Sequence, residues 1–493
     1  MKLIFTLALS VLFVAGSFSQ SEKEKVIATV DSNTIKGHIY FLADDLLKGR
    51  ETGTTENKLA ASYLANQLRS YGVQPNPMTG NYYQEVKLSK VKPPKRITLS
   101  MDGKEIKKKA SVQAGKMSYN GEIVFLGYGL EADYKGKNVA KKLVVVQAGS
   151  PEAQDVRSAF RLREQKAALA KNAGASGVIE LIKADANTWG FVERNFNSER
   201  LEIGKNKEAY IDEKRQMGYV WVQDEYGSMA KNLATGKHMA KFTMNASNRN
   251  DMVSYNVVGM VEGTDPVLKK EFVIYSAHYD HVGIGPANDQ GDKIYNGARD
   301  NAVGVTTVLS MAQNMAKYPT KRSALFILFT GEEKGLLGSK YYVDNPVLPL
   351  KQMVFCFNSD NGGYNDTSIA TIVGLGRTSA EQNIKRAAVD FGLTAKDDPA
   401  PEMGLFDRSD NVNFAVKGIP APTFSMGFTA FDSEITKYYH QPNDEAESLD
   451  YGYLEKFFRA YVMSGRNIAN DPSTPFWVTG DKYEEAGKKL YNK

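Results

Sequence analysis

The chain of 493 residues carries a formal charge of +5, with 42% hydrophobic residues, 24% charged residues and a single cysteine. At roughly 150 residues per domain this is the length of two or three domains, and the apolar content excludes a disordered chain. The small positive surplus is not gathered into a basic run with interleaved aromatics, so nucleic acid is not an expected partner.

Residues 1–19 begin with Lys2, continue through an apolar run from Leu3 to Gly16 and end in the small-x-small triplet Ser17-Phe18-Ser19. That is the pattern of a cleaved secretion signal, and the run is short for a bilayer. The expectation is export to a periplasm or the medium, with no stable membrane anchor after cleavage. The absence of a cysteine after the run argues against a lipid anchor. Cys356 lies within an apolar stretch, where a thiol acts as a small hydrophobe. Helical apolar spacing (Leu59, Tyr63, Leu64, Leu68) marks 34–47 and 56–71 as helices, and Gly72 and Pro75 stop the second. The polar, Gly-punctuated run Lys48-Gly49-Arg50-Glu51-Thr52-Gly53-Thr54 links them. Strands are expected at 82–88 and 96–101.

From residue 121 the rhythm becomes β-rich, with strands at 123–126, 143–146 and 177–182 and a helix at 161–171. After Tyr255 strands at 272–277, 323–329, 353–358 and 421–425 alternate with helices at 302–316, 336–343, 380–391 and 452–468. Several of these strands are apolar throughout, as in a sheet buried on both faces. The fold class expected is α/β, a mixed, largely parallel sheet sandwiched by helices, interrupted by a β-rich α+β insert. The domains expected are a signal at 1–19, a first catalytic part at 20–120, the insert at 121–250, the main catalytic part at 251–470 and a polar tail at 471–493.

Ligands in open α/β sheets bind beyond the carboxyl ends of the strands. Here those ends lead into His278-Tyr279-Asp280-His281, Glu332-Glu333 and Asp360. Asp300 precedes a helix, and His440 sits in a loop before the last one. Each alone is unremarkable, since an Asp before a helix is usually a cap. Together they gather carboxylates with three of the chain's five histidines around one sheet edge. Mixed His and carboxylate donors without thiolates suit Zn²⁺, with Mn²⁺ or Co²⁺ as substitutes. A pair of ions is well served by one shared carboxylate, and Asp300, at a helix N-terminus, is placed to bridge. By strand alternation the Asp280 carboxylate can reach the other ring nitrogen of His278, while Glu332 and Glu333 point apart, one toward metal and one toward water.

Residues 277–281, 297–302, 331–333, 358–360 and 439–444, in that order, resemble the co-catalytic zinc aminopeptidases of clan MH, which include leucyl-type aminopeptidases, glutamate carboxypeptidase and glutaminyl cyclases. The insert resembles a protease-associated domain. The resemblance implies a zinc-exopeptidase fold and two zinc ions per chain, one held by His278, Asp300 and Asp360 and the other by Asp300, Glu333 and His440. It makes Glu332 the general base, Tyr439 the stabiliser of the oxyanion and Asp444 a supporting residue like Asp280. It also implies a cis bond between Asp300 and Asn301. Asn411 stands where many relatives have histidine, and the surroundings of Asp360 are more polar than usual.

The activity implied is removal of N-terminal residues from peptides. Carboxypeptidase or dipeptidase action would need cations for a substrate carboxylate, for which Arg408 and Arg377 are the candidates. A receptor that has lost its metals is disfavoured by the complete ligand set, and single-zinc glutaminyl cyclisation by the same fact. Arg408, Phe424, Met426, Phe428 and Phe431 are the expected pocket residues, with Met403 and Phe406 nearby. Sequence leaves the oligomeric state open.

Overall fold

A computed structural model of the chain describes residues 20–113, 115–204 and 217–492. The expected signal at 1–19 lies outside the described residues. The chain forms two compact units, one ending at Gln84 and resuming at Tyr255, the other running from Glu85 to Ser254.

The site of the first unit rests on the strands β1 (Asn248–Val261, by its second half), β2 (Phe272–His278), β3 (Ser323–Phe329), β4 (Met353–Ser359), β5 (Ile369–Val373), β6 (Thr394–Asp397) and β7 (Thr423–Met426). Their order is β6-β5-β7-β4-β2-β3-β1. The β6–β5, β7–β4, β4–β2 and β2–β3 pairs are parallel, and the β5–β7 and β3–β1 pairs antiparallel. The expected mixed, largely parallel sheet is therefore present.

Every residue of β2, β3 and β4 is buried, which is why their sequences are apolar on both alternations. Val273, Tyr275 and Ala277 face one core with the helices α1 (Ser32–Leu42), α2 (Thr55–Ser70), α3 (Gly304–Lys317), α5 (Glu381–Asp390) and α7 (Tyr451–Asn470). Phe272 and Ile274 face the other with α4 (Leu337–Asp344) and α6 (Asn411–Val416). Side-chain oxygens of Asp31, Thr54 and Asp450 cap the first main-chain amides of α1, α2 and α7.

The tail after residue 470 is not a polar appendage. Trp477, 4% exposed, enters the second core and donates from Nε1 to the Gly418 carbonyl at 3.0 Å, and α8 (Glu484–Tyr491) follows. Trp477, Tyr483 and Leu490 all pack into that core and outweigh the polar composition of the segment.

The second unit contains an eight-stranded sheet, in the order Lys104–Glu105, Ile97–Met101, His238–Met244, Met117–Phe125, Leu143–Gln147, Gly177–Ile182, Gly218–Gln223 and Lys109–Gln113. It begins at Glu85 rather than at 121. The strands at Ile97–Met101 and Lys109–Gln113 pair with His238–Met244 and Gly218–Gln223, more than a hundred residues later. Local pattern identified one of these strands but could not reveal its partner. In the core, the Glu180 carboxylate accepts from Lys166, Tyr219 and Trp221 at 2.6, 2.9 and 2.7 Å, so the buried charge is fully paired.

On the α1–α2 face of the first unit, His38 is buried with Nδ1 2.8 Å from the Tyr63 hydroxyl and Nε2 2.9 Å from the Tyr71 hydroxyl. Burial lowers the imidazole from its ordinary 6.5 to about 4. The folded protein thus binds this proton less readily than the unfolded chain, so its contribution is complete above pH 6.5 and is lost as pH falls toward 4. Replacing His38 with Gln should flatten the fall in urea-unfolding free energy across that window by a few kcal/mol. An unchanged slope would show that His38 titrates normally in the fold.

Candidate metal centre

Five chain segments converge at one end of the β2–β3–β4 sheet. Strand β2 ends on His278, and Asp280 and His281 follow at once. After β3 the chain turns at Gly331 (φ +74°) and presents Glu332 and Glu333, while Asp360 follows β4. Asp300 lies in the distorted turn leading into α3, with the Asp300–Asn301 peptide cis as expected. Gly297 before it has φ +60°, and a Cβ there would stand 2.2 Å from the Asp300 carbonyl and 2.6 Å from the His281 ring, so only glycine fits.

These segments place two donor sets around one carboxylate. Nε2 of His278 lies 3.3 Å from Asp300 Oδ1 and 3.2 Å from Asp360 Oδ1. Nε2 of His440 lies 3.1 Å from Asp300 Oδ2 and 3.2 Å from Glu333 Oε2. Glu332 is on the first side, its Oε2 4.0 Å from His278, so the adjacent glutamates lie on opposite sides of Asp300. The Asp444 carboxylate accepts from the amides of Arg299 and Asp300 and from the Arg299 guanidinium, fixing the main chain that carries Asp300. Tyr439 stacks on His440 at 4.1 Å between ring centres and lines the same cleft.

Burial is the largest influence on Asp300, Glu332, Glu333, His278 and His440 and opposes charge. Against it, hydrogen bonds from His278 and His440 hold the Asp300 carboxyl well below its ordinary range. Glu333, raised by burial and by Asp300, is drawn down to about 2 by His281 and His440. His440, lowered by burial, is raised to about 10 by Asp300 and Glu333, and His278 is raised strongly by Asp360 and Glu332. Glu332 moves the other way, since burial and the charges of Asp360, Asp410 and Glu333 outweigh His278 and lift it well above the carboxylate range. Two neighbouring glutamates pushed apart in this way suit one ionised ligand and one proton carrier.

Several expectations change. The Asp280 carboxylate does not meet His278; the Asp280 carbonyl bonds Nδ1 at 3.1 Å, while the carboxylate accepts from Thr52 and the Glu332 amide. The chain bends after His278, which breaks the i,i+2 alternation. Phe424 and Met426 are core residues with no exposure, because alternation along β7 turns them inward and presents Thr423 and Ser425 to the cleft. Arg408, Phe428 and Phe431 do line it. Arg377 is engaged by Asp481 and packs on Phe406, away from the cleft lining. Asn411 is buried, donating to the carbonyls of Phe406 and Ala421.

His281 received no role from sequence, yet its Nδ1 lies 2.7 Å from Glu333 Oε1, and it groups with Asp300, Glu333 and His440. The signal was a second histidine in the same short run. The donor chemistry fits zinc: no thiolate, imidazole and carboxylate in each set, and the far nitrogen of His278 fixed by a carbonyl.

Residues 256–464, which hold every one of these donors, match the model of peptidase family M28. The likeness to peptidase family M28 covers that stretch of the chain. Curated proteins similar to this chain include the aminopeptidase YwaD of Bacillus subtilis, 28% identical over 42% of this chain and 43% of that protein, and a probable leucine aminopeptidase 2 of Aspergillus oryzae, 33% identical over 46% and 47%. The chain thus spans about half the length of these relatives. The solved aminopeptidase of Aneurinibacillus sp. strain AM-1 aligns over 92% of this chain and 97% of its own with a TM-score of 0.59 and 23% identity, a likeness of fold.

The division of β7 can be measured through stability. Phe424→Ala should cost roughly 3–5 kcal/mol in urea unfolding, the usual loss for a large core aromatic, and Phe431→Ala far less. Equal losses would contradict it.

Proposed function

We propose that this protein is an exported zinc aminopeptidase that removes N-terminal residues from peptides, with two zinc ions sharing Asp300. The observation that carries this reading is the division of the Asp300 oxygens between His278 and His440. His278 and Asp360 complete one ligand set, Glu333 and His440 the other, with Asp300 common to both. Manganese or cobalt suits the same donors.

When bound, the zinc ions would polarise the scissile carbonyl and acidify the attacking water. Glu332 accepts the proton of that water and returns it to the leaving amine, a task matched to a carboxyl lifted well above its usual range. Tyr439, its hydroxyl kept protonated by burial, donates to the developing oxyanion. Asp444 and the Asp280 carbonyl hold Asp300 and His278 in place. The cleft, about 400 Å³, is lined beside these residues by Val373, Leu405, Phe428, Phe431 and Ile435, which favours a bulky apolar N-terminal residue. Arg408 is the cleft's one Lys or Arg among the described residues, so a carboxypeptidase reading keeps one candidate holder for a substrate carboxylate.

The aminopeptidase names of the relatives support the peptide substrate. Export is supported by Lys2, the apolar run and the small-x-small triplet at 1–19. No helix among the described residues is long and apolar enough to cross a membrane. The second unit is proposed as the protease-associated insert of such enzymes.

The decisive assay compares leucyl-anilide with its N-acetylated form on protein of measured metal content. Cleavage of the free amine alone, with about two zinc ions per chain, is expected; Glu332→Ala should lower kcat by roughly 10²–10⁴. Hydrolysis of N-acylated dipeptides in place of leucyl-anilide would overturn the aminopeptidase reading in favour of a carboxypeptidase.

Zinc uptake should also expel protons, because His278 and His440 are both raised and must offer neutral nitrogens. Apparent affinity therefore rises with pH toward about 10, where His440 loses its proton unaided. Calorimetry at pH 7 in buffers of different ionisation enthalpy reads this release, and heats independent of buffer would contradict it.

A further inference from the structure

The run between α1 and α2 contributes no side chain to the cleft lining. Its backbone is nevertheless tightly constrained. Lys48, Gly49 and Arg50 all adopt left-handed φ, at 44°, 67° and 49°, which L side chains disfavour. A Cβ on Gly49 would stand 2.4 Å from the Tyr295 carbonyl oxygen and 2.7 Å from that of Gly283, so the segment lies against the Gly283–Tyr295 hairpin.

Arg50 follows, 1% exposed. Its guanidinium donates to four main-chain carbonyls: Nε to Tyr279 at 2.8 Å, Nη1 to Asn296 at 2.7 Å and also to Leu42, and Nη2 to Gly297 at 3.1 Å. Tyr279 adjoins His278, and Asn296 and Gly297 lead into Asp300. Thr52, two residues on, donates from Oγ1 to Asp280 Oδ2 at 2.7 Å, and Asp280 Oδ1 accepts the Glu332 amide at 3.1 Å. The Asn57 amide bonds the Arg50 carbonyl at 3.1 Å and fastens the segment to α2. The loops of His278, Asp300 and Glu332 are thus all tied to one short run that supplies no ligand.

We propose that the Arg50–Thr52 segment is the positioning element of the metal centre: Arg50 sets the spacing between the His278 and Asp300 loops, and Thr52 sets the Glu332 loop through Asp280. This rests on the reading of those residues as a zinc site. The geometry demands arginine, because a planar fork with donors on three nitrogens can serve carbonyls in separate loops, whereas the point charge of lysine cannot. Losing the fork removes the donors that tie these carbonyls to one another and frees one loop to shift against the other. Burial lowers the guanidinium to about 10, opposed by the charges of Asp300, Asp280, Asp444 and Glu333, so it stays a cation at neutral pH.

The test uses the full chain, stripped of metal and retitrated with zinc against a chromophoric chelator, and with cobalt by its visible absorption. Arg50→Lys should bind zinc roughly 10–100-fold more weakly, the usual cost of losing support behind a ligand, and show an altered cobalt spectrum. Thr52→Val should lose a smaller factor. The control is Arg466→Lys, since Arg466 is equally buried on α7 and bonds Glu22, Asn314 and the Tyr318 carbonyl, away from the centre. It should lower the melting temperature while binding zinc like the parent. Parental affinity and spectrum in both Arg50→Lys and Thr52→Val would overturn the proposal, as would an equal affinity loss in Arg466→Lys. If Arg50→Lys does not fold, parental affinity in Thr52→Val alone overturns it. A parent that binds no zinc would sink the zinc-site reading and the proposal together.

Discussion

A carboxylate has two oxygens, and at Asp300 each is taken by a different histidine, Oδ1 by His278 and Oδ2 by His440. Asp300 is 4% exposed, so its charge survives only because compensating groups are held at fixed distance. The surrounding structure answers to that requirement. His278 comes at the end of a wholly buried strand, His440 from a loop ahead of α7, and Asp300 from a turn whose amides are held by Asp444.

The same requirement explains how local rules are broken near the centre. Lys48, Arg50, Leu336 and His440 take left-handed φ without being glycine, and the Ala298–Val303 turn leaves helical geometry at Asp300 and Asn301. Such positions persist where their surroundings determine them more strongly than backbone preference does. At Arg50 the determinant is a set of carbonyl acceptors, and at His440 it is a pair of carboxylates.

Much of this was legible in the sequence, for reasons that differ by element. Strands β2, β3 and β4 are apolar on both alternations because both faces are covered, and that property is local. The donors were legible because strand ends in an open α/β sheet point to one edge, and so His278, Asp300, Glu333, Asp360 and His440 assemble there. What stayed hidden depended on partners distant in the chain. The strand at Lys109–Gln113 takes its place from Gly218–Gln223 and so belongs to the second unit, ahead of residue 121. Trp477 reads as part of a polar tail until the Gly418 carbonyl and the second core are seen. Phe424 and Met426 were assigned to the cleft by proximity to His440, although alternation from Thr423 would have turned them inward. The bonds of Arg50 to residues more than two hundred positions away leave no local trace.

Glu332 and Glu333 show how one dipeptide meets two electrostatic environments. They share a buried turn, and burial alone would raise both. Glu333 reaches two imidazoles, His281 at 2.7 Å and His440 at 3.2 Å, and its charge is retained. Glu332 has His278 at 4.0 Å and three acidic neighbours in Asp360, Asp410 and Glu333, so its charge is opposed. The division follows from chain geometry, because successive side chains leave the turn in opposite directions and meet opposite surroundings. The imidazoles keep the charge on Glu333, while the acidic neighbours and burial oppose it on Glu332, so the contrast lies in the surroundings and not in the residue type.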